Sequence, residues 1–202
     1  MSQVTDASGD GVPDARTRLL AAAAESFASK GFHGTTTRDI ASAAGMSPAA
    51  LYVHHRSKED LLYLISRNGH ERTLRLVEDA VQSAANPVDQ LLAVVRGFTV
   101  SHARRHTSAR IVNYELAALT PAHLEEIVGF RRAIERTVRE VVDAGVAAGA
   151  FHTSNPSMTA LALLSLGIDV ARWYRDEGAW TPEEIGDYYC ELALRIVGAR
   201  DE

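Results

Sequence analysis

Residues 35–62 read TTTRDIASAAGMSPAALYVHHRSKEDLL, and three helix starts are written into that short span. Thr36 is an N-cap residue with Asp39 three positions on, so hydroxyl and carboxylate can satisfy N–H groups that a first turn leaves free. Gly45 closes this helix after only about two turns. Ser47 caps the next, with Pro48 at the first helical position, where a missing N–H costs nothing. Ser57 opens a third, and Glu59 and Asp60 favour its positive N-terminal end. Upstream, Leu20, Ala23, Ala24 and Phe27 recur at i, i+3, i+4 and i+7 before a stop at Gly31. Two short helices joined around Gly45, flanked by a helix on each side, form the helix-turn-helix pattern. A small helical bundle with the same spacing is the plainer alternative.

His54 and His55 raise the question of a metal or catalytic site. Adjacent helical residues point about 100° apart, so both cannot face one ion. No nucleophile stands near them at fixed spacing. Tyr52, His54, Arg56 and Lys58 instead surround the end of the second short helix and the start of the next, where side chains and free N–H groups suit phosphate oxygens. From residue 30 to 58 the bases Lys30, Arg38, Arg56 and Lys58 face one acid, Asp39, a local net of +3. The histidines read as phosphate contacts or as packing.

The whole chain carries more acids (26) than bases (21), which argues against non-specific coating of nucleic acid but allows a local DNA-reading surface. No apolar run is long enough to span a bilayer, and the start, MSQVTDASGDGVPDARTR, has neither an apolar core nor basic character. It reads as a disordered arm over residues 1–13. A single cysteine, Cys190, excludes an internal disulfide and a cysteine-based zinc site and suits the cytoplasm. Strand patterns are missing, and Pro87, Pro121, Pro156 and Pro182 each mark a helix start, dividing the chain beyond Leu61 into about five long segments, the first spanning about 57–84.

The stretch from Thr35 to Leu62 resembles the DNA-binding head of TetR/AcrR-type transcriptional regulators: the Thr-rich lead, RDIA, AAGMS, LY and SKEDL occur in order at the family's spacing. The resemblance implies an all-α protein, with an N-terminal three-helix helix-turn-helix head on a larger helical ligand-binding and dimerisation body. The head is expected at 14–74 and the body at 75–202. It implies that Thr36, Thr37 and Arg38 meet phosphate, that Ser47, Pro48, Ala49 and Ala50 face bases, and that Tyr52, His54 and Lys58 grip the backbone. Pro48, Val53 and His55 depart from the commonest family pattern. Pro-Ala-Ala at the head of the recognition helix favours thymine methyls or DNA shape over hydrogen-bonded readout, and His55, at a position usually Phe, is expected to pack.

In the body, 156–175 is apolar nearly all round, which places it between two buried surfaces. Leu161, Leu164 and Ile168, with Ile185, Tyr188, Tyr189, Leu192 and Ile196, are expected at a homodimer seam, the alternative being a monomeric core. Phe98, His102, Ile111, Tyr114, Phe130, Arg172 and Trp173 are candidates for an effector pocket or, each singly, for plain core. His102 and His106 stand at i, i+4, but Ala103 occupies the position of a zinc-protease Glu and no third ligand is evident. Arg131, Arg132, Arg136 and Arg139, interleaved with glutamates, read as a solvated face. The C-terminal part looks more loosely like regulators of lipid or acyl-CoA catabolism, with Arg104, Arg105 and Arg110 available for CoA phosphates.

The reading is a homodimeric repressor, with no metal or cofactor, released from a palindromic double-stranded DNA operator by a small apolar or acyl-CoA-like effector. An effector-independent DNA-binding protein and a small helical enzyme are the rivals. The second lacks a Ser/His/Asp pattern, a glycine-rich phosphate loop and paired catalytic carboxylates.

Overall fold

The computed structural model describes residues 14–199, so the arm expected at 1–13 lies outside the described residues. Nine α-helices and no strand occur among them: α1 (Ala15–Gly34), α2 (Thr37–Ala43), α3 (Pro48–His54), α4 (Lys58–Gln82), α5 (Pro87–Arg104), α6 (His106–Tyr114), α7 (Pro121–Ala147), α8 (Pro156–Trp173) and α9 (Pro182–Ile196), with a 3₁₀ turn at Leu116–Ala118.

The caps explain these boundaries. The Thr36 hydroxyl accepts from Asp39 N while the Asp39 carboxylate accepts from Thr36 N, a complete capping box. Ser47 and Ser57 cap α3 and α4 through their side chains. Asn86, Thr120, Asn155 and Thr181 do the same for α5, α7, α8 and α9, which like α3 begin with Pro. Gly31 breaks α1 with φ 72°, and Gly45, with φ 67°, turns the chain between α2 and α3; both values suit a residue without a Cβ. One boundary has no such mark: α5 ends at Arg104 and α6 begins at His106 with no side-chain cap between them.

Phe27, Leu19, Ile40, Leu51, Leu61 and Leu62 form the centre of the head, and the same cluster takes in Ile111 from α6, Leu119, and Ile127 from α7. The head core is therefore shared with the body, and the expected boundary at 74 falls inside the unbroken α4. Further ties run across this junction. The Glu59 carboxylate accepts from Thr120 N at 2.9 Å and lies 2.8 Å from His123 Nδ1, and Arg67 donates to Glu126 at 2.8 Å. Arg110 donates to the Ala28 carbonyl at 2.7 Å.

Within the body α5 is central, packed against α4, α7, α8 and α9. Gly167 lets α8 approach it: an added Cβ would lie 2.6 Å from the Phe98 ring. No helix among the described residues is long and apolar enough to cross a membrane.

Candidate functional site

Two places carry chemistry. The first is the outward face of the head. On α3, Pro48, Ala49, Tyr52 and Val53 share an exposed side, with Tyr52 56% and Val53 79% exposed. Large apolar side chains held in water on a short helix suit a face made to meet something else. The Tyr52 hydroxyl lies 3.2 Å from Thr37 Oγ1, joining α3 to the start of α2 on one surface. Thr36, Arg38, Ser47 and His54 are exposed on the head, and Ala50 is half-buried.

Two cations of this stretch are engaged within the head. Lys30 pairs with Asp39 at 3.0 Å. Lys58, expected to grip the DNA backbone, donates to the Phe32 carbonyl at 2.7 Å and the Thr35 carbonyl at 2.8 Å, with its ammonium over the Phe32 ring. It closes the C-terminal end of α1 against α4, so two of the ammonium's three N–H groups are engaged inside the head. Arg38 and Arg56 are the exposed cations that remain. His55 packs as expected: it is buried, with Nδ1 3.3 Å from Asp60.

The second place is a cavity of about 280 Å³ among α4, α5, α6, α7 and α8, near the lower end of the usual range for ligand pockets. Phe98, Val112, Ile134, Leu161, Leu164 and Ile168 supply its apolar wall; His70, His102, Asn113 and Arg131 bring polar groups from four different helices. Arg72, Arg105 and Arg132 also line it. The His70 and His102 Nδ1 atoms lie 2.9 and 2.8 Å from the carbonyls of Ser66 and Phe98. A carbonyl only accepts, so Nδ1 carries the proton and each Nε2 is left as an acceptor. His70 Nε2 is buried and has no hydrogen-bond partner among the described residues. Burial pushes the His70 imidazole down to about 4, against the pull of its bond to Ser66 and with the help of Arg131 and His102. Burial lowers His102 as well. Arg131 donates to Asn113 Oδ1 at 3.2 Å.

Several expectations for this pocket are corrected. Phe98 and His102 line the cavity, but Ile111 is in the head core, and Tyr114 and Arg172 belong to a separate cleft between α1 and α6. Phe130 and Trp173 line neither. Trp173 is 39% exposed, because α8 turns it outward. The pair at His102 and His106 is split by the helix break at Arg105; His106 bonds Ala103 O and lies edge-on to Tyr174. Of the expected phosphate arginines only Arg105 lines the cavity, since Arg104 pairs with Glu183 and Arg110 holds Ala28 O. Arg131 leaves the solvated face for the cavity wall and Arg132 stands exposed at the cavity's edge, whereas Arg136 and Arg139 pair with acids on the outside. Among the described residues no cluster of His, Cys, Asp or Glu is placed to hold a metal.

Comparisons with known proteins agree with this architecture. Residues 19–63 match the family described as bacterial regulatory proteins, tetR family, and residues 84–197 match the tetracyclin repressor-like C-terminal domain. The chain belongs to the TetR family. It is a DNA-binding transcriptional regulator. A crystal structure of a tetR-family regulatory protein from Rhodococcus RHA1 is 41% identical, covers 94% of this chain and 100% of that one, and superposes with a TM-score of 0.89. The HTH-type transcriptional repressor KstR2 of Rhodococcus jostii is 30% identical over 89% of each chain. AibR, solved in complex with isovaleryl coenzyme A and operator DNA, is 26% identical over 93% of this chain and 100% of its own, with a TM-score of 0.83.

This TetR-family body also has an outward apolar face. Met158, Leu161, Leu166 and Trp173 on α8 and Tyr188 and Ile196 on α9 are exposed. Of the residues expected at a seam, Leu161, Tyr188 and Ile196 lie on this face, and Leu192 and Tyr189 are half-buried. Leu164 and Ile168 turn inward to the cavity, and Ile185 is 5% exposed in a core cluster with Ala103, Val170 and Tyr174.

Arg131 is a cavity residue whose place is hidden among the interleaved charges of α7. The signal was present: Ile127, Arg131, Ile134 and Val138 form one stripe of α7, three of them buried, so Arg131 interrupts an apolar face.

Two outcomes follow from this geometry. Lys58→Ala should destabilise the fold by about 2 kcal/mol, because carbonyls at the end of α1 lose charged donors. Urea denaturation of wild type and variant measures this, and equal midpoints would return Lys58 to a purely DNA-facing role. For His70 the folded value of about 4 lies below the ordinary 6.5. Its contribution is fully present above pH 6.5 and is lost as pH falls toward 4, a loss on the order of 3 kcal/mol. His70→Leu should therefore flatten the stability profile between pH 6.5 and 4. Parallel profiles would assign the acid sensitivity to another group.

Proposed function

We propose that the protein is a homodimeric repressor that binds a palindromic operator and is released when a small apolar or acyl-CoA-like effector enters the cavity among α4–α8. The observation that carries this reading is the position of α6. One side of it, Ser108, Ala109, Val112 and Asn113, lines the cavity. Its other side holds the head: Arg110 donates to Ala28 O, Ile111 enters the head core, and Glu115, just past its end, accepts from Phe32 N at 3.4 Å. A ligand that displaces α6 pulls on the end of α1, and with it on α2 and α3.

In a dimer the two α3 helices must reach major grooves about 34–36 Å apart. A small rotation of each head changes that separation, and an effector that prefers the mismatched state by several kcal/mol empties the operator. The AibR complex with a coenzyme A thioester and operator DNA supports an effector of this type. The outward apolar face on α8 and α9 supports the dimer, since contiguous exposed apolar surface is characteristic of protein–protein contact. Residence with its DNA in the cytoplasm belongs to the same reading.

Operator release is the test. DNA selected by the purified protein is titrated with alkanoic acids, their CoA thioesters, and neutral steroids and amides, and anisotropy follows dissociation. At least one class should release DNA from wild type, while Arg110→Ala should still bind that ligand and respond with release weakened about tenfold or more. No release by any class, or unchanged release in Arg110→Ala, contradicts the reading.

For the dimer, sedimentation should give about twice the chain mass of 21.9 kDa. Leu166→Glu should shift the protein toward monomer. A wild-type mass of one chain, or a stable Leu166→Glu dimer, removes α8 from the seam.

A further inference from the structure

We infer that the effector is an amphiphilic oxyanion, its charged end held by Arg131 and its apolar body lying along α8. This rests on the reading of the cavity as the effector site and specifies the ligand's charge, which that reading leaves open.

Arg67, Arg75, Arg96, Arg104, Arg136, Arg139, Arg172 and Arg195 each lie within 4 Å of a carboxylate. Arg72, Arg105, Arg131 and Arg132, the four that line the cavity, have no carboxylate within that distance among the described residues. The one acid on the wall, Glu135, lies 3.9 Å from Arg139. The cavity therefore gathers four cations against one acid in a protein whose net charge is −5.

Depth divides the four: Arg72 and Arg131 are half-buried, burial disfavours the charge of both, and of this pair Arg131 is, among the described residues, the one hydrogen-bonded to another residue of the cavity wall. Arg105 and Arg132 are exposed, so water solvates them. Arg131 is half-buried, and its hydrogen-bond partner, Asn113, is neutral. A guanidinium does not give up its proton in any physiological range, and burial disfavours its charge. A buried charge without a counter-charge is costly to the fold. An arriving oxyanion supplies that counter-charge and can accept two parallel N–H bonds in the fork geometry that arginine presents. On α8, Leu161, Leu164 and Ile168 line the cavity with hydrocarbon, interrupted by the Ser165 hydroxyl alone. A ligand that satisfies both walls has a carboxylate or phosphate at one end and an apolar body at the other.

Two sources share this chemistry, a free carboxylic acid and a CoA thioester, and they predict different arginines. A free acid places its carboxylate at Arg131. A thioester leads its phosphates out past the exposed Arg105 and Arg132.

The experiment measures calorimetric binding of octanoate, octanoyl-CoA and octanamide to the full-length protein. One or both anions should bind at least tenfold more tightly than octanamide, and added salt should weaken the anions selectively. Arg131→Gln should cut octanoate binding at least tenfold and leave octanamide unchanged; Arg105→Ala combined with Arg132→Ala should do the same for octanoyl-CoA. Arg131→Leu should leave the melting temperature of the ligand-free protein unchanged or raise it. A fall would make Arg131 a structural group and overturn the inference. So would octanamide binding as tightly as the anions, anion binding indifferent to all three arginines, or no binding by any of the three. The two readings fail separately: release of the operator by neutral steroids or amides alone overturns the anionic ligand and leaves regulation by ligand standing, whereas no release by any class overturns the effector reading.

Discussion

A helix-turn-helix head of this size buries only a marginal apolar core by itself. Its core is completed by Ile111, Leu119 and Ile127, residues that belong to the body by sequence. That sharing constrains everything else in the molecule. The elements that fill the head core, α6 and α7, are also walls of the cavity, so the position of α3 and the volume of the cavity are set by the same two helices. Glu59, Arg67 and Arg110 fix this junction with charged hydrogen bonds of 2.7–2.9 Å, which hold α1 and α4 in register against the body. Within a close-packed interior such contacts shift between discrete arrangements and do not stretch, and that is what a ligand switch requires.

The cavity follows from the same economy of helices. Each wall is an apolar stripe with a polar residue set into it: His70 among Leu62 and Val77 on α4, His102 one turn beyond Phe98 on α5, Arg131 between Ile127 and Ile134 on α7. Gly69 and Gly167 bring the walls close: an added Cβ on Gly69 would meet Val112 at 2.8 Å, and one on Gly167 would meet Phe98 at 2.6 Å. The polar groups are held by backbone carbonyls and by one another, and they converge on empty space.

Much of the fold was legible because capping chemistry is local. Thr36, Ser47, Ser57 and the four prolines announced their helices, since an N-cap and its first turn lie within four residues of each other. The break at Arg105 carried no such chemistry and was missed. The direction of a side chain was the harder matter. Lys58 counted as a free cation until the end of α1 proved to lie beneath it, and Trp173 as a pocket residue until the rotation of α8 turned it outward. Leu164 and Ile168 went the opposite way, from seam to cavity. These assignments depend on how one helix is rotated against another, which sequence spacing leaves undetermined wherever a helix is apolar on several sides. Arg131 was the exception, a charge on a buried stripe, readable once the period of α7 is traced.

On the proposed function, occupancy of the cavity and the placement of the head are one equilibrium. Filling the cavity covalently tests it without any ligand. Ala109 faces the cavity from α6, and Ala109→Phe puts a ring into that space at a distance from the DNA-facing surface. Operator affinity of the variant, measured by anisotropy beside its melting temperature, is predicted to fall by about tenfold or more while the fold stays intact. A folded Ala109→Phe variant that binds operator as tightly as wild type would contradict the account.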